Sequence, residues 1–325
     1  MSLRQSVKQP LHAEGKRARK VKTLRVGKMW SVMDRDPQGE YFEVGELIQL
    51  CKEGLEEVVV GKLERVRVDG RFVGADTHLR ALHFCDSSID ISPQLVLGFR
   101  YKAAIIGTRV SPSLSKVRHL TLCDVDANGG TIGFDRLFSL LPNLSSLAAI
   151  HSRRPYGCIP PHLKYLHASP LPRELTGWEP PDEDRHPART ERLLELYAVV
   201  EQHLARRSPL IGMSCRAEDM RRMQAMRNVP PSVRFLRFTS GHFFGSDFLT
   251  PFLSSSDNHL KKLEELVLPM RLSTGAAYEE LREWCKKEGV RVVYEKDEEG
   301  EGTMWEARFW QCVRRWEKEV EQEES

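Results

Sequence analysis

The sequence lacks the features that identify membrane-spanning, secreted and metal-binding proteins. No stretch approaches the roughly 20 apolar residues that a transmembrane helix needs, and the first thirty residues lack the apolar run of a signal peptide. The seven cysteines are scattered singly with no C-x-x-C pair, which argues against a disulfide framework and against a zinc site. We therefore expect a cytoplasmic or nuclear protein with no membrane contact, metal or other cofactor.

The motifs of the common enzyme classes are also missing. There is no G-x-G-x-x-G, no G-x-x-x-x-G-K-[ST], no G-x-S-x-G and no H-E-x-x-H. Residues 124–129 match the first half of a calcium-binding loop, but Asp135 stands where that loop requires a bidentate glutamate. A turn rich in Asp, Asn and Gly explains this segment more simply. We expect a protein that is not an enzyme.

Charge gives no strong indication of a nucleic-acid or membrane partner. The 325 residues include 49 basic and 46 acidic side chains, for a net charge of +3. The excess is local, because residues 16–22 are basic and residues 317–324 are acidic. Nucleic-acid binding is therefore only a third hypothesis, and it rests on the basic start alone.

A short apolar skeleton recurs along the chain: an apolar residue, two free positions, a Leu-like residue, one free position and another apolar residue. Pro-Pro precedes two of its copies, in PPHLKYL and PPSVRFL, where it ends the preceding helix and favours an extended entry into a strand. The Leu-like centres of the copies are Leu24, Val58, Leu82, Leu120, Leu147, Leu166, Met213, Leu236 and Leu266.

This skeleton is typical of leucine-rich repeats, in which each copy is a strand that must stack on its neighbours to bury its apolar side. The first positions are separated by 34, 24, 38, 27, 19, 47, 23 and 30 residues, so the spacing is irregular. We predict an α/β fold: an irregular solenoid over 17–296, with parallel strands on a concave face and helices and loops on the convex side. A disordered tail would span 1–16 and an exposed loop 169–190. Ordinary α/β strands are the structural alternative.

The C-terminal part predicts a helix, a glycine and a strand, followed by a last helix. Gly289 would take the left-handed position that follows a helix, before a strand at 290–294. Over 303–322, Trp305, Phe309, Cys312 and Trp316 recur every three or four residues and form one apolar stripe. We predict that this amphipathic helix caps the end of the solenoid, and the alternative is a helix that docks on a partner.

The chain resembles the repeat domains of fungal F-box/leucine-rich-repeat proteins. The residues that carry this resemblance are the repeat skeletons, the LPNLSSL phrase, the two Pro-Pro joints and the ending YEELREWCKKEGVRVVYE, within 17–296. In that family the F-box docks on the adaptor of a cullin ubiquitin ligase and the repeats select its target. Residues 1–16 contain nothing like the L-P-x-E start of an F-box. The resemblance therefore implies target selection, with cullin-ligase components as further partners.

The predicted working surface is the set of strand positions on either side of seven Leu-like centres, all of them except Met213 and Leu266. In the repeat interpretation these side chains face solvent, and aromatic and guanidinium groups among them are enriched at interface hot spots. We expect a non-catalytic scaffold that binds a protein partner there, and the alternative is an α/β enzyme whose site is assembled from scattered residues. The candidate partner-binding residues are Arg25, His83, His119, Tyr165, His167, Phe235 and Arg237.

Overall fold

A computed structural model shows an α/β protein whose main element is a large parallel sheet. Its description covers residues 21–27, 44–51, 53–61, 63, 66–68, 78–91, 113–127, 131–150, 160, 162–169, 210–216, 231–239, 260–270, 279–295 and 305–323. The predicted tail 1–16, and the predicted loop 169–190 apart from Ser169, lie outside this part of the chain.

In the part of the chain that the structure describes, the main sheet has ten strands, ordered β1-β2-β4-β6 up to residue 123 and β8-β9-β10-β11-β12-β13 from residue 146. Each of these ten strands contains five residues. The strands are β1 (Thr23–Gly27), β2 (Glu57–Gly61), β4 (Ala81–Cys85), β6 (His119–Cys123), β8 (Ser146–Ile150), β9 (Tyr165–Ser169), β10 (Gly212–Arg216), β11 (Phe235–Thr239), β12 (Glu265–Pro269) and β13 (Arg291–Glu295).

The chain divides into two units. The N-terminal unit comprises Met1–Leu144 and Ser152–Pro160, and the C-terminal unit comprises Ser145–His151 and Pro161–Ser325. In the C-terminal unit the Leu-like centres are in register, with Leu166 of β9 opposite Met213 of β10 and Met213 opposite Leu236 of β11. The N-terminal unit repeats this arrangement with Leu82 of β4 opposite Leu120 of β6. Within each unit, therefore, these copies of the skeleton occupy equivalent places in the sheet.

The N-terminal unit also contains a second, three-stranded parallel sheet, whose order is β3 (Val66–Val68), β5 (Ser88–Ile91) and β7 (Asp126–Ala127). Asp86 and Asp124 have positive φ, at 45° and 50°, between strands of the two sheets. Short polar side chains tolerate this left-handed conformation better than most residues. Asp124 thus turns the chain from β6 into the second sheet, but Asp126 and Ala127 form strand β7 rather than part of the turn that the sequence predicts.

Four helices accompany the described strands: α1 (Val44–Cys51), α2 (Thr131–Ser139), α3 (Glu279–Glu288) and α4 (Trp305–Glu323). Gly289 follows α3 with φ 74°, and the Val290 N–H donates to the Cys285 carbonyl at 2.7 Å. This is the hydrogen bond of a Schellman C-cap, so glycine is required where the sequence predicts it. Among the described residues, no helix is long and apolar enough to cross a membrane.

The side of the strands that carries the Leu-like centres is buried. Leu82, Leu120, Leu147, Leu236 and Leu266 are at most 1% exposed. The described part of the chain contains six cysteines, all of them buried free thiols. Since successive strand side chains alternate between the two sides of a sheet, the residues that flank these centres share the opposite side.

Candidate functional site

The flanking residues of the C-terminal unit form two rows across adjacent strands. The ladder places Tyr165 of β9 opposite Gly212 of β10 and Gly212 opposite Phe235 of β11, and the row continues through Glu265 of β12 to Arg291 of β13. The second row, two residues further along, brings His167, Ser214 and Arg237 together. We name these eight residues the C-terminal strand face: Tyr165, His167, Gly212, Ser214, Phe235, Arg237, Glu265 and Arg291.

Helix α4 lies on this face and inserts Trp316 into a slot. The Trp316 ring stacks on Phe235, with ring centroids 5.4 Å apart and planes 11° apart, and on Tyr165 at 6.1 Å and 24°. Gly212 leaves room between them, because a Cβ atom there would lie 2.6 Å from Tyr165 Cδ1 and 3.1 Å from Trp316 Cε3. The slot therefore depends on two aromatic walls and on the missing side chain of Gly212.

The polar end of the slot is the carboxylate of Glu265, which is fully buried. Its Oε1 accepts a hydrogen bond from Trp316 Nε1 at 2.7 Å and another from Arg315. Its Oε2 accepts from Arg291 Nε at 2.9 Å. Because a buried carboxylate without partners is very costly, these three donors make Glu265 tolerable beneath the helix. Two of the three belong to α4.

A second buried ionic group lies in the other row. Arg237, which is 2% exposed, donates from Nε to Glu295 Oε2 at 2.9 Å, and the Cys312 thiol of α4 donates to Glu295 Oε1 at 2.8 Å. Burial opposes ionisation of Glu295, but Arg237 and the thiol outweigh it and lower the pKa of the carboxyl. Burial also raises the pKa of Cys312 to about 12. The thiol is therefore a protonated hydrogen-bond donor rather than a nucleophile.

His167 completes the covered surface. Its Nδ1 lies 2.8 Å from Ser214 Oγ, and its ring centroid lies 5.4 Å from that of Phe309. Phe309 and Trp316 are seven residues apart on α4 and meet edge to face at 6.3 Å. Three members of the predicted apolar stripe, Phe309, Cys312 and Trp316, thus contact the strands or the residues that end them.

Acidic residues on α4 pair with arginines at the rim. Arg291 donates to Glu319 at 2.6 Å, and Arg234 contacts both Glu264 and Glu323. These pairs are partly or largely exposed, so each contributes little to stability. They nevertheless match the acidic end of the helix to the basic edge of the strands, which fixes the orientation of the helix.

The N-terminal unit has its own polar row, which centres on the Thr121 hydroxyl. His83 Nδ1 lies 2.9 Å from Thr121 Oγ1, His119 Nε2 lies 3.0 Å from the same oxygen, and His83 Nε2 lies 3.2 Å from Glu57 Oε1. Burial, and then the neighbouring His83, lower the pKa of His119 well below its usual value. The His83 contact lowers the pKa of Glu57 against the effect of its own burial.

One proton arrangement satisfies these contacts. A hydroxyl has a single proton, so it can donate to only one of the two imidazoles. The ionised Glu57 favours a proton on His83 Nε2, which leaves His83 Nδ1 to accept from Thr121. The Thr121 oxygen then accepts from a proton on His119 Nε2. The result is a directed chain from His119 through Thr121 to His83, whose Nε2 faces the Glu57 carboxylate.

The prediction that the candidate residues face solvent is wrong for six of the seven. Arg25 is exposed, but His83, His119, Tyr165, His167, Phe235 and Arg237 are each at most 3% exposed. The strand pattern identifies the shared side of the sheet, but it cannot show that another segment covers that side. For the four candidates of the C-terminal unit the covering segment includes α4. The last helix therefore lies across the strands and not, as predicted, over the end of a solenoid.

Sequence reasoning missed several members of the site. Gly212 and Ser214 flank Met213, in the weakest copy of the skeleton, and Glu265 flanks Leu266, in the last copy; none of the three is a predicted candidate. Extending the same rule to these two copies would have found all three residues. The pairing of Trp316 with Gly212 had no local signal, because 104 residues separate them.

A scan against protein-family models and a search of curated proteins return no match for this chain. The features that indicate a function are therefore the polar row of the N-terminal unit and the C-terminal strand face with the helix that lies across it.

Proposed function

We propose that this chain is a non-catalytic scaffold that holds a protein partner on the flanking side of its strands. One observation carries the proposal: the C-terminal strand face already binds a helix, α4, through a tryptophan slot with a buried carboxylate at its end. Aromatic and arginine side chains around a desolvated centre, with ion pairs at the rim, are the usual composition of a protein interface.

The energetics of the seated helix support this proposal. Burying one large aromatic side chain contributes about 1.5–3 kcal/mol, and aromatic pairs add about 0.5–1.5 kcal/mol each. Trp316 is stabilised by its burial, by stacking on Tyr165 and Phe235, and by a hydrogen bond to a charged acceptor. A face that holds one helix by so few anchors can recognise a segment of similar pattern from another protein.

The finer part of the proposal is an irregular leucine-rich-repeat architecture and a role in substrate selection for a ubiquitin ligase. The repeated strand length and the in-register Leu-like centres support the repeat assignment. The resemblance to fungal F-box/leucine-rich-repeat proteins supports the ligase role. The bound partner would then be the protein marked for ubiquitin transfer, and Arg25, exposed on β1, is available for additional contact.

The test is to capture partner proteins with full-length variants in which the slot is opened or closed. Trp316→Ala should open the face, and adding Gly212→Val should close the slot again. Proteins retained from native lysate by the open variant are purified and titrated separately by calorimetry. We expect at least one to bind the open variant more tightly than the wild type and to lose affinity in the double variant. Equal binding to all three chains, or no binding partner, would overturn the proposal, whereas cullin-ligase subunits that purify with the chain would support the finer part.

An enzyme is the second candidate, because Glu57, His83 and Thr121 are arranged as an acid, a base and a hydroxyl nucleophile would be. Against it, His83 and Thr121 are at most 1% exposed, so a substrate has no access to the hydroxyl in this conformation. Labelling by a fluorophosphonate probe that disappears in Thr121→Val, but persists in Thr121→Ser, would favour this candidate over the scaffold.

A further inference from the structure

We infer that the C-terminal strand face is a receptor for a tryptophan-bearing amphipathic helix of a partner protein, and that α4 is its built-in competitor. This inference rests on the proposed scaffold function and specifies the partner. The recognised pattern follows from four of the residues of α4 that meet the face: an aromatic residue, tryptophan seven positions later, and carboxylates three and seven positions after the tryptophan. In this chain these are Phe309, Trp316, Glu319 and Glu323.

The slot selects tryptophan by both shape and hydrogen bonding. Gly212 opens the space that the six-membered ring of the indole occupies, since Trp316 Cε3 and Cζ3 would each lie 3.1 Å from a Cβ atom at residue 212. Glu265 is positioned to accept from the N–H group on the five-membered ring of the indole, at 2.7 Å from Nε1. Phenylalanine has no such donor, and a site built to accept a hydrogen bond discriminates strongly against a ligand that lacks it.

Charge determines the direction in which the helix lies. Arg291 and Arg234 stand where the residues after the tryptophan reach the strand edge, and both contact glutamates of α4. A helix with lysines at those two positions would place like charges together. The partner helix is therefore acidic on its C-terminal side, as α4 is.

The occupant of the face is tethered, so a partner must compete with it. Nine residues separate β13, which ends at Glu295, from α4, which begins at Trp305, and a short tether gives an effective concentration in the millimolar range. A partner's apparent Kd then equals its intrinsic Kd divided by the fraction of chains whose face is open. Any change that weakens the seat of α4 should strengthen partner binding by the same factor.

The decisive experiment measures binding of a fluorescent peptide with the sequence of residues 303–325 to the full-length chain. We expect Trp316→Ala in the chain to lower the Kd of the peptide about tenfold or more relative to the wild type, because it vacates the slot. Trp284→Ala, which removes a partly exposed indole from α3, is the matched control and should leave the Kd unchanged. Equal Kd values for all three chains would overturn the inference.

Variants of the peptide test the recognised pattern. Replacing its tryptophan at position 316 with 1-methyltryptophan keeps the ring and removes the N–H, and we expect about a tenfold weaker interaction with the Trp316→Ala chain. Replacing both glutamates at positions 319 and 323 with lysine should also weaken binding, and the effect should shrink at high salt. Unchanged affinity in both cases would show nonspecific apolar binding and contradict the assignment.

If Trp316→Ala disturbs the fold, hydrogen exchange on the wild-type chain replaces it. Excess peptide should speed exchange of the α4 amides while those of β9–β12 stay protected, and no change at α4 would refute displacement. A wild-type dimer that disappears on Trp316→Ala would assign the face to a second copy instead. These outcomes are separate from those of the partner-capture test: the peptide can bind when no partner is found, and a partner can bind when the peptide does not.

Discussion

The indole N–H of Trp316 and the buried carboxylate of Glu265 form a hydrogen bond of 2.7 Å across 51 residues of sequence. Each group would be costly to bury alone, since the carboxylate needs donors and the indole needs an acceptor. Their pairing makes the slot that holds α4 specific for tryptophan.

Trp316→Phe should lower the free energy of unfolding by about 2 kcal/mol, because it removes a hydrogen bond to a charged acceptor together with part of the stacked ring. Urea denaturation measures this value. Trp284→Phe removes a partly exposed indole from α3 and should cost less than about 1 kcal/mol. Equal losses in the two variants would mean that the Glu265 contact contributes nothing particular.

Gly212→Ala should destabilise the chain by about 1–3 kcal/mol, the usual cost of an atom forced into a packed space. The added Cβ would lie 2.6 Å from Tyr165 Cδ1. Gly61 on β2 provides the control, since a Cβ there meets nothing closer than 3.9 Å. Gly61→Ala should be neutral or stabilising by about 0.4–1 kcal/mol. Thermal melts of both variants give the comparison, and similar melting temperatures would contradict the claim that the slot requires glycine at position 212.

Acidification from pH 7.5 to 5 should reduce stability through His119. Its pKa in the folded chain lies well below the usual 6.5, so the unfolded chain binds a proton near pH 6.5 that the folded chain does not. Stability is therefore retained above about pH 6.5 and falls as the pH drops below it, by up to about 1.4 kcal/mol per pH unit. Urea denaturation midpoints measured along the pH series give this slope.

The variant His119→Gln, which keeps a donor for Thr121, should flatten that pH profile by about 1 kcal/mol or more over the same range. The exposed His162 supplies the control His162→Gln. Glu57 affects stability at a lower pH than His119 does. Its pKa is lowered from 4.5, so its contribution to the free energy of unfolding is present above pH 4.5 and disappears as the pH falls through the folded pKa. A profile that His119→Gln leaves unaltered would contradict the lowered pKa of His119.

Cys312 should resist iodoacetamide at pH 8 in the native chain, since a pKa of about 12 leaves roughly 10⁻⁴ of the thiol ionised. Opening the face with Trp316→Ala should expose Cys312 and speed its alkylation by a factor of ten or more. Cys285 of α3, whose pKa burial raises to about 11, should stay slow in both chains. Mass spectrometry of tryptic peptides separates the two sites, and parallel rates would show global unfolding instead of local release of α4.

Local patterns predicted much of the fold, because neighbouring residues determine them. The Leu-like centres Leu82 and Leu120 mark strands that are in register, and Gly289 ends α3 as its position after an amphipathic helix indicates. The apolar stripe of α4 was also evident. The sequence does not show which surface this stripe packs against, since a stripe that contains Phe309 and Trp316 could cover the end of a sheet or its face. Only the long-range fit of Trp316 to Gly212 decides between them.

The same limitation explains the buried histidines. Alternation along β4 and β6 correctly placed His83 and His119 outside the Leu-like side. Their burial depends on segments that are distant in the sequence. A five-residue pattern contains no information about such segments. The Thr121 contacts require two strands in register, and 38 residues separate the hydroxyl from His83.

Because α4 follows every described strand of the sheet along the chain, the ribosome releases the C-terminal strand face before the helix that covers it. Trp316 is 21 residues beyond Glu295, and synthesis at roughly 5–20 residues per second delays it by about 1–4 s. During that interval the aromatic walls Tyr165 and Phe235 have no indole between them. Nascent chains would thus offer the slot to a binding protein or chaperone before the finished molecule fills it with its own helix.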